Sequence, residues 1–132
     1  MKTKVATGAR LLLGLLFFVF GLNGFLNFIP APASIPEAAI AFSTALGATG
    51  YFFPVLKATE VLMGFLLLTG FAAPLALVVL APITIQIFLF HFFLTHGASN
   101  SILPIVMIAL HITAATGYWY LYRALFSKAK VA

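Results

Sequence analysis

A lysine and a glutamate stand three residues apart inside an apolar stretch of the chain, at Lys57 and Glu60. Side chains at this spacing share one face of an α-helix, so the two can form an ion pair. A charge near the middle of a membrane helix costs about 2.5–3.5 kcal/mol, so such residues are candidates for function. The pair could hold a polar group of a ligand or pass a proton. The structural alternative is a neutral pair that only fixes helix packing.

Five more polar side chains interrupt apolar stretches and could form hydrogen bonds with a ligand; they are Asn23, Asn27, Gln86, His91 and His111. With a rise of about 1.5 Å per residue, Glu60, Gln86 and His111 lie roughly 12–14 Å below the outer ends of their predicted helices. The other four polar groups lie roughly 4–9 Å deep. The sequence therefore predicts one polar pocket that opens outward and is shared by four helices.

The histidines predict no metal or haem site. His91 and His111 differ in estimated depth by about 9 Å, a poor match for two axial ligands of one iron. The chain has no H-x-x-x-H pair and no cysteine, so it can form no disulfide. His91, next to several phenylalanines, could also be an interfacial residue, and Gln86 and His91 lie about 140° apart around a helix.

The composition predicts a membrane protein. Of 132 residues, 64% are hydrophobic and 7% are charged, whereas soluble domains have roughly 45–50% apolar and about 25% charged residues. A soluble protein of this size could not bury so much apolar surface, so the lipid bilayer is the expected partner. The first apolar run, from Leu11 to Ile29, exceeds the usual 7–15 residues of a signal peptide and is read as a span.

The predicted fold is all-α, a four-transmembrane-helix bundle in a single membrane domain. The spans cover about 9–29, 52–70, 73–94 and 102–122, and Pro82 should kink the third. Between the first two spans, Ser34 and Glu37 have capping-box spacing ahead of a helical pattern. We therefore predict a short interfacial helix at about 35–47, with an irregular loop as the alternative.

The distribution of charge predicts the orientation. Six of the seven basic residues lie near the two termini. By the positive-inside rule, both termini of this multi-pass protein should be cytoplasmic, in a bacterial-type inner membrane. The basic residues form no continuous patch, so no nucleic acid partner is expected.

The residues also show a family likeness. From about Thr7 to Leu125, the chain resembles the DoxX family of small four-helix membrane proteins. The likeness is carried by Arg10-Leu-Leu-Leu-Gly14 before Phe20-Gly21, by the Lys57-x-x-Glu60-x-x-x-Gly64 segment with Leu67, Leu68 and Gly70, and by Pro74, Pro82 and His91. The resemblance implies the fold and a link to redox chemistry, because the family takes its name from subunits of a thiosulfate:quinone oxidoreductase. It implies that Lys57 and Glu60 matter. Relatives that use thiols are no model here, since cysteine is absent.

The expected function is that of a redox-associated subunit that binds a quinone-like or other small lipophilic molecule. Gln86, Asn23 and His111 would donate hydrogen bonds to it, Lys57 and Glu60 would relay protons, and phenylalanines would form the walls. A small-solute or proton-coupled transporter and a non-catalytic membrane scaffold are the alternatives. Redox enzyme subunits are expected partners, and the sequence does not decide oligomerisation or whether the chain is itself an enzyme.

Overall fold

The computed structural model describes residues 2–30, 34–95 and 98–132, with the backbone alone for 98–100. These parts contain helices and no strand, which confirms the all-α prediction. The helices are α1 (Lys2–Leu26), α2 (Glu37–Gly47), α3 (Phe52–Thr69), α4 (Ala73–Leu94), α5 (Ala98–Thr116) and α6 (Trp119–Tyr122), followed by a 3₁₀ turn at Arg123–Phe126.

The four long helices contact one another in a cycle. α1 packs against α3 and α5, and α4 packs against the same two helices. Close contacts between Gly24 and Lys57, and between Arg10 and Gly70, show that α1 and α3 run in opposite directions. The start of α1, the end of α3, the start of α4 and the end of α5 therefore lie together, and we call this the terminal end. The opposite end is called the Lys57 end.

Apolar side chains fill the space between these helices. The largest fully buried ones are Phe17, Leu13, Leu67, Leu77 and Leu80. Large apolar side chains also cover the outer surface, as at Leu75 and Ile112, where water would be a poor solvent. Among the described residues, α1, α3 and α4 are each long and apolar enough to cross a membrane. Ser101–Thr116 and Trp119–Phe126, which are bent relative to each other, would form a fourth span if they are taken together.

The end of α1 differs from the prediction because two asparagines stop the helix at Leu26. Asn27 has a left-handed backbone with φ 51°, a conformation that asparagine tolerates better than most residues. Its N–H donates to the carbonyl of Asn23 at 2.8 Å, which is the usual bond of a left-handed helix cap. The Asn23 side chain accepts a hydrogen bond from the N–H of Ile29 at 2.7 Å. The helix therefore ends three residues before the predicted end of the first span, which lies at about residue 29.

The connection between α1 and α3 holds a helix close to the predicted bounds, but without the capping box. α2 begins at Glu37, and its N-cap is Pro36, with no side-chain hydrogen bond to the helix start. Downstream, α3 and α4 match the predicted second and third spans within one residue, and α4 continues through Pro82. Gly70, with φ 83°, ends α3 and allows the chain to turn directly into α4.

The predicted fourth span is interrupted. α5 begins at Ala98 and ends at Thr116, and the following segment, Trp119–Phe126, is bent by 71° from Ser101–Thr116. At the break, the N–H of Gly117 donates to the carbonyl of Ala114 at 3.1 Å, a bond that tightens the last turn. A Cβ on Gly117 would lie 2.8 Å from the Cβ of Ala6, so glycine lets α5 end directly against α1.

Candidate functional site

The Lys57–Glu60 pair is present in α3. Lys57 Nζ lies 3.0 Å from Glu60 Oε2, and the two side chains are 27% and 4% exposed. Glu60 Oε2 is buried, and the Lys57 ammonium is its ion-pair partner. A carboxylate oxygen offers more than one lone pair. This oxygen can therefore accept a proton or a further donor beside the ammonium.

The glycines of α1 make room for the pair. A Cβ on Gly21 would lie 3.1 Å from the Cβ of Glu60, and a Cβ on Gly24 would collide with the aliphatic part of Lys57. The ion pair therefore packs directly on the α1 backbone. These glycines therefore serve close helix packing.

A third close approach lies further along the same interface. A Cβ on Gly64 would lie 2.6 Å from the backbone nitrogen of Phe18 and 2.9 Å from the carbonyl oxygen of Gly14. Such backbone contact is the usual reason for small residues between membrane helices. Lys57, Glu60 and Gly64 are thus three positions of one α3 face, and α1 covers that face.

An apolar groove runs beside this interface on the outer surface of α1 and α3. Its volume is about 410 Å³, and it is lined by Phe18, Leu22, Phe25, Ala58, Val61, Leu62 and Phe65. Ala58 directly follows Lys57, and Val61 is one helical turn beyond it, so the groove and the pair share one stretch of α3. The groove is shallow and open along one side, and its lining is almost entirely apolar. A lipophilic molecule could enter it from the side.

His111 belongs to a different cluster, between α4 and α5. Its Nε2 lies 2.8 Å from the carbonyl oxygen of Leu77, and its Nδ1 lies 2.9 Å from Thr84 Oγ1. Since a carbonyl only accepts, Nε2 carries the proton, and in the neutral ring the threonine hydroxyl donates to Nδ1. Both ring nitrogens are therefore occupied, and neither is left for a ligand or an iron.

The acceptor Leu77 lies close to the α4 proline. Pro82 has no N–H and so removes the usual donor to the carbonyl of Val78. The histidine bonds the neighbouring carbonyl, that of Leu77. Thr84, which completes the cluster, was not singled out from the sequence; the only available signal was a hydroxyl within a strongly apolar helix.

In the described part of the chain, no hydrogen bond or ion pair joins the other predicted site residues to Lys57 or Glu60. Asn23 and Asn27 form the end of α1, as described above. Gln86 is exposed on α4. His91 is half-buried, and its Nδ1–H donates to the carbonyl of Ile87 at 2.7 Å, within the same helix.

The seven predicted side chains thus do not form one cluster. His91 bonds a carbonyl of its own helix, His111 bonds two groups of α4, and Asn23 accepts from a backbone N–H just beyond the end of α1. Of the seven, the structure joins Lys57 and Glu60. Ligand binding by any of them stays a prediction.

The described residues contain no group of three or more His, Asp or Glu side chains arranged as a metal site would require. Comparison with known proteins adds no assignment: no family model matches the chain, and no curated protein and no solved structure is similar enough to count as a match.

Proposed function

We propose that the four long helices form a four-span membrane bundle in a bacterial-type inner membrane, with both termini in the cytoplasm and α2 at the opposite surface. Support comes from three helices of spanning length, with a fourth if the bent pair is counted. The six basic residues near the termini belong to the terminal end, as the positive-inside rule requires of a cytoplasmic face.

Within that frame, the chain is proposed to act as a DoxX-like, redox-associated subunit that binds a quinone-like molecule. The observation that carries this proposal is that the ion pair and an apolar groove on the outer surface belong to the same stretch of α3, with Ala58 of the groove next to Lys57 in the chain. The aromatic walls at Phe18, Phe25 and Phe65 suit a flat ring, and Lys57 is the partly exposed member of the pair.

The chemistry follows from what a quinone needs. Conversion to a quinol takes two electrons, which a partner redox enzyme would supply, and two protons. The Lys57 ammonium can donate a hydrogen bond or a proton to the ring oxygen. The Glu60 carboxylate can then accept a proton from water at the Lys57 end and pass it to the amine. The pair would thereby relay protons one at a time, while the bulk of the molecule stays in apolar surroundings.

Binding can be tested with the full chain in lipid nanodiscs and a photoreactive quinone. Specific labelling of peptides from α1 and α3 is expected, with competition by unlabelled quinone. Ala58→Phe would fill the groove and should reduce labelling about tenfold, the loss of about 1.4 kcal/mol of binding free energy. Ala109→Phe is the matched control, because Ala109 is also exposed but lies on α5. If both variants and the unaltered chain were labelled equally, quinone binding in the groove would be refuted.

The role of the pair needs a separate measurement. In membranes that contain the partner enzyme, Glu60→Gln should keep quinone labelling but slow quinone-dependent turnover, because it removes the proton acceptor and keeps the shape. Lys57→Met should weaken both quinone labelling and quinone-dependent turnover. If the two variants retain full turnover, the pair has no part in proton transfer.

A membrane scaffold is the second candidate, and the His111 cluster favours it. Polar groups that form complete internal networks stabilise a fold and leave little to bind a substrate. A scaffold would co-purify with a constant membrane partner at fixed stoichiometry, and Lys57→Met would not change that partner's activity. Retained partner activity together with absent quinone labelling would select this function over the first.

A further inference from the structure

The terminal end carries a strong excess of positive charge. Its basic residues are Lys2, Lys4, Arg10, Arg123, Lys128 and Lys130, whereas both acidic residues of the chain, Glu37 and Glu60, lie toward the Lys57 end. The terminal end thus has six positive charges and no acidic side chain to neutralise them. Arg10 belongs to this end, and its Nε is buried without a hydrogen-bond partner in the described residues.

The bend after α5 turns the chain sideways at this same end. If α5 crosses the bilayer near its normal, a 71° bend brings Trp119–Phe126 close to the membrane plane. The segment is also held in place, because the hydroxyl of Tyr122 donates to the carbonyl of Pro74 at 2.6 Å, at the start of α4. It therefore has a defined position at the edge of the helices.

The bent segment has the composition of an interfacial anchor. Trp119 is 55% exposed, and Leu125 and Phe126 are 73% and 78% exposed. Aromatic rings of this kind favour the headgroup level of a bilayer, and a helix that carries both apolar and basic groups lies along that surface. Arg123 lies in the segment, and Lys128 and Lys130 follow it directly.

We propose that the terminal end is a binding surface for anionic phospholipids, with the bent segment lying in the headgroup layer of the same leaflet. Negatively charged headgroups are the partner that fits basic residues without acidic neighbours beside exposed tryptophan and phenylalanine. The inference depends on membrane embedding but not on quinone binding, and its test reads a different part of the molecule.

The single tryptophan of the chain provides the measurement. Because Trp119 is the only tryptophan, its fluorescence in the full chain reports on the bent segment alone. The chain is reconstituted into zwitterionic bilayers that contain a fixed fraction of brominated lipid, either anionic phosphatidylglycerol or zwitterionic phosphatidylcholine. Lipids in direct contact with Trp119 quench it.

Brominated phosphatidylglycerol should quench more strongly, with an apparent preference of about threefold, and salt near 1 M should abolish the difference because screening then acts within about 3 Å. A variant with Arg123→Gln, Lys128→Gln and Lys130→Gln should lose most of the preference. The matched control carries Arg123→Lys, Lys128→Arg and Lys130→Arg, and it should keep the preference because its charge is unchanged.

Each of the following results would overturn the inference. Equal quenching by the two lipids, or a preference that survives the neutral variant, would show that charge at this end does not select lipids. If soluble glycerol phosphate abolished the extra quenching by brominated phosphatidylglycerol, the terminal end would be a site for small anions and not a lipid-binding surface. A blue-shifted Trp119 emission in all bilayers with no lipid preference would leave a purely apolar anchor, which also contradicts the proposal.

Discussion

Two helix interfaces in this molecule bury polar groups, and they treat them differently. Between α4 and α5, His111 satisfies its ring with Thr84 and the Leu77 carbonyl. Between α1 and α3, Lys57 and Glu60 form an ion pair, and Lys57 stays 27% exposed. A polar network that is closed on itself holds helices together, whereas a pair with a partly exposed charge leaves one group accessible to other molecules. Burial alone therefore does not separate a structural cluster from a candidate site; the accessibility of the charged group is the useful difference.

The largest effect should come from removing one member of the ion pair. Lys57→Met leaves the buried Glu60 carboxylate without its counter-ion, and we expect a loss of about 3 kcal/mol in the free energy of unfolding. Unfolding in mixed micelles with increasing denaturing detergent would measure it. The double variant Lys57→Met with Glu60→Leu should recover most of this loss, and a double variant as unstable as the single one would contradict the assigned pairing.

Backbone packing at the α1–α3 interface should give the next effect. Gly64→Ala puts a Cβ against the Phe18 backbone, which cannot move without separating the helices, so we expect a loss of about 2 kcal/mol. Gly8→Ala is the control, because nothing lies within 4 Å of its added Cβ. That variant should be neutral or slightly stabilising, given the better helix propensity of alanine. The same unfolding assay measures both variants. Equal losses of stability in Gly64→Ala and Gly8→Ala would rule out close packing at Gly64.

The satisfied cluster should be less sensitive. His111→Leu removes a partner from both Thr84 and the Leu77 carbonyl, at an expected cost of about 1–2 kcal/mol. Adding Thr84→Val should restore part of it, because the unpaired hydroxyl is then gone. Quinone labelling should be unchanged in both variants. Loss of labelling without loss of stability would instead bring His111 into the ligand site.

The smallest effect is expected at the anchor of the bent segment. Tyr122→Phe removes the hydrogen bond to the Pro74 carbonyl and keeps the ring, so the cost should be about 0.5–1.5 kcal/mol. Faster amide hydrogen exchange confined to residues after Gly117 would confirm that the bond holds this segment locally. Faster exchange throughout α4 would show that it stabilises the whole molecule.

Local signals in the sequence were sufficient for most of the helices. Long apolar runs bounded by Gly70 and by the turn before Ala73 predicted α3 and α4 to within one residue. The helix ends that differ from the predicted span ends depend on details outside the hydrophobic pattern. Asn27 ends α1 through a left-handed backbone, and α5 ends just before Gly117, where a Cβ would be too close to Ala6 on another helix.

The candidate site was predictable only where its partners are close in sequence. The Lys57–Glu60 pair follows from helix geometry, because its members are three residues apart. The partners of His111 are 27 and 34 residues away, and their contact depends on how α4 and α5 pack. Asn23 could bind a ligand through its amide group, but its side-chain oxygen already accepts a hydrogen bond from the N–H of Ile29 at the helix end.

The unequal charge of the two ends also bears on how the chain enters a membrane. Under the proposed orientation, an inverted molecule would have to carry six basic side chains across the bilayer against a potential that is negative inside. Each charge moved through 100 mV corresponds to about 2.3 kcal/mol, so the six together amount to roughly 14 kcal/mol. The electrical gradient of a living cell would therefore oppose inversion of the finished protein, in addition to the apolar barrier itself.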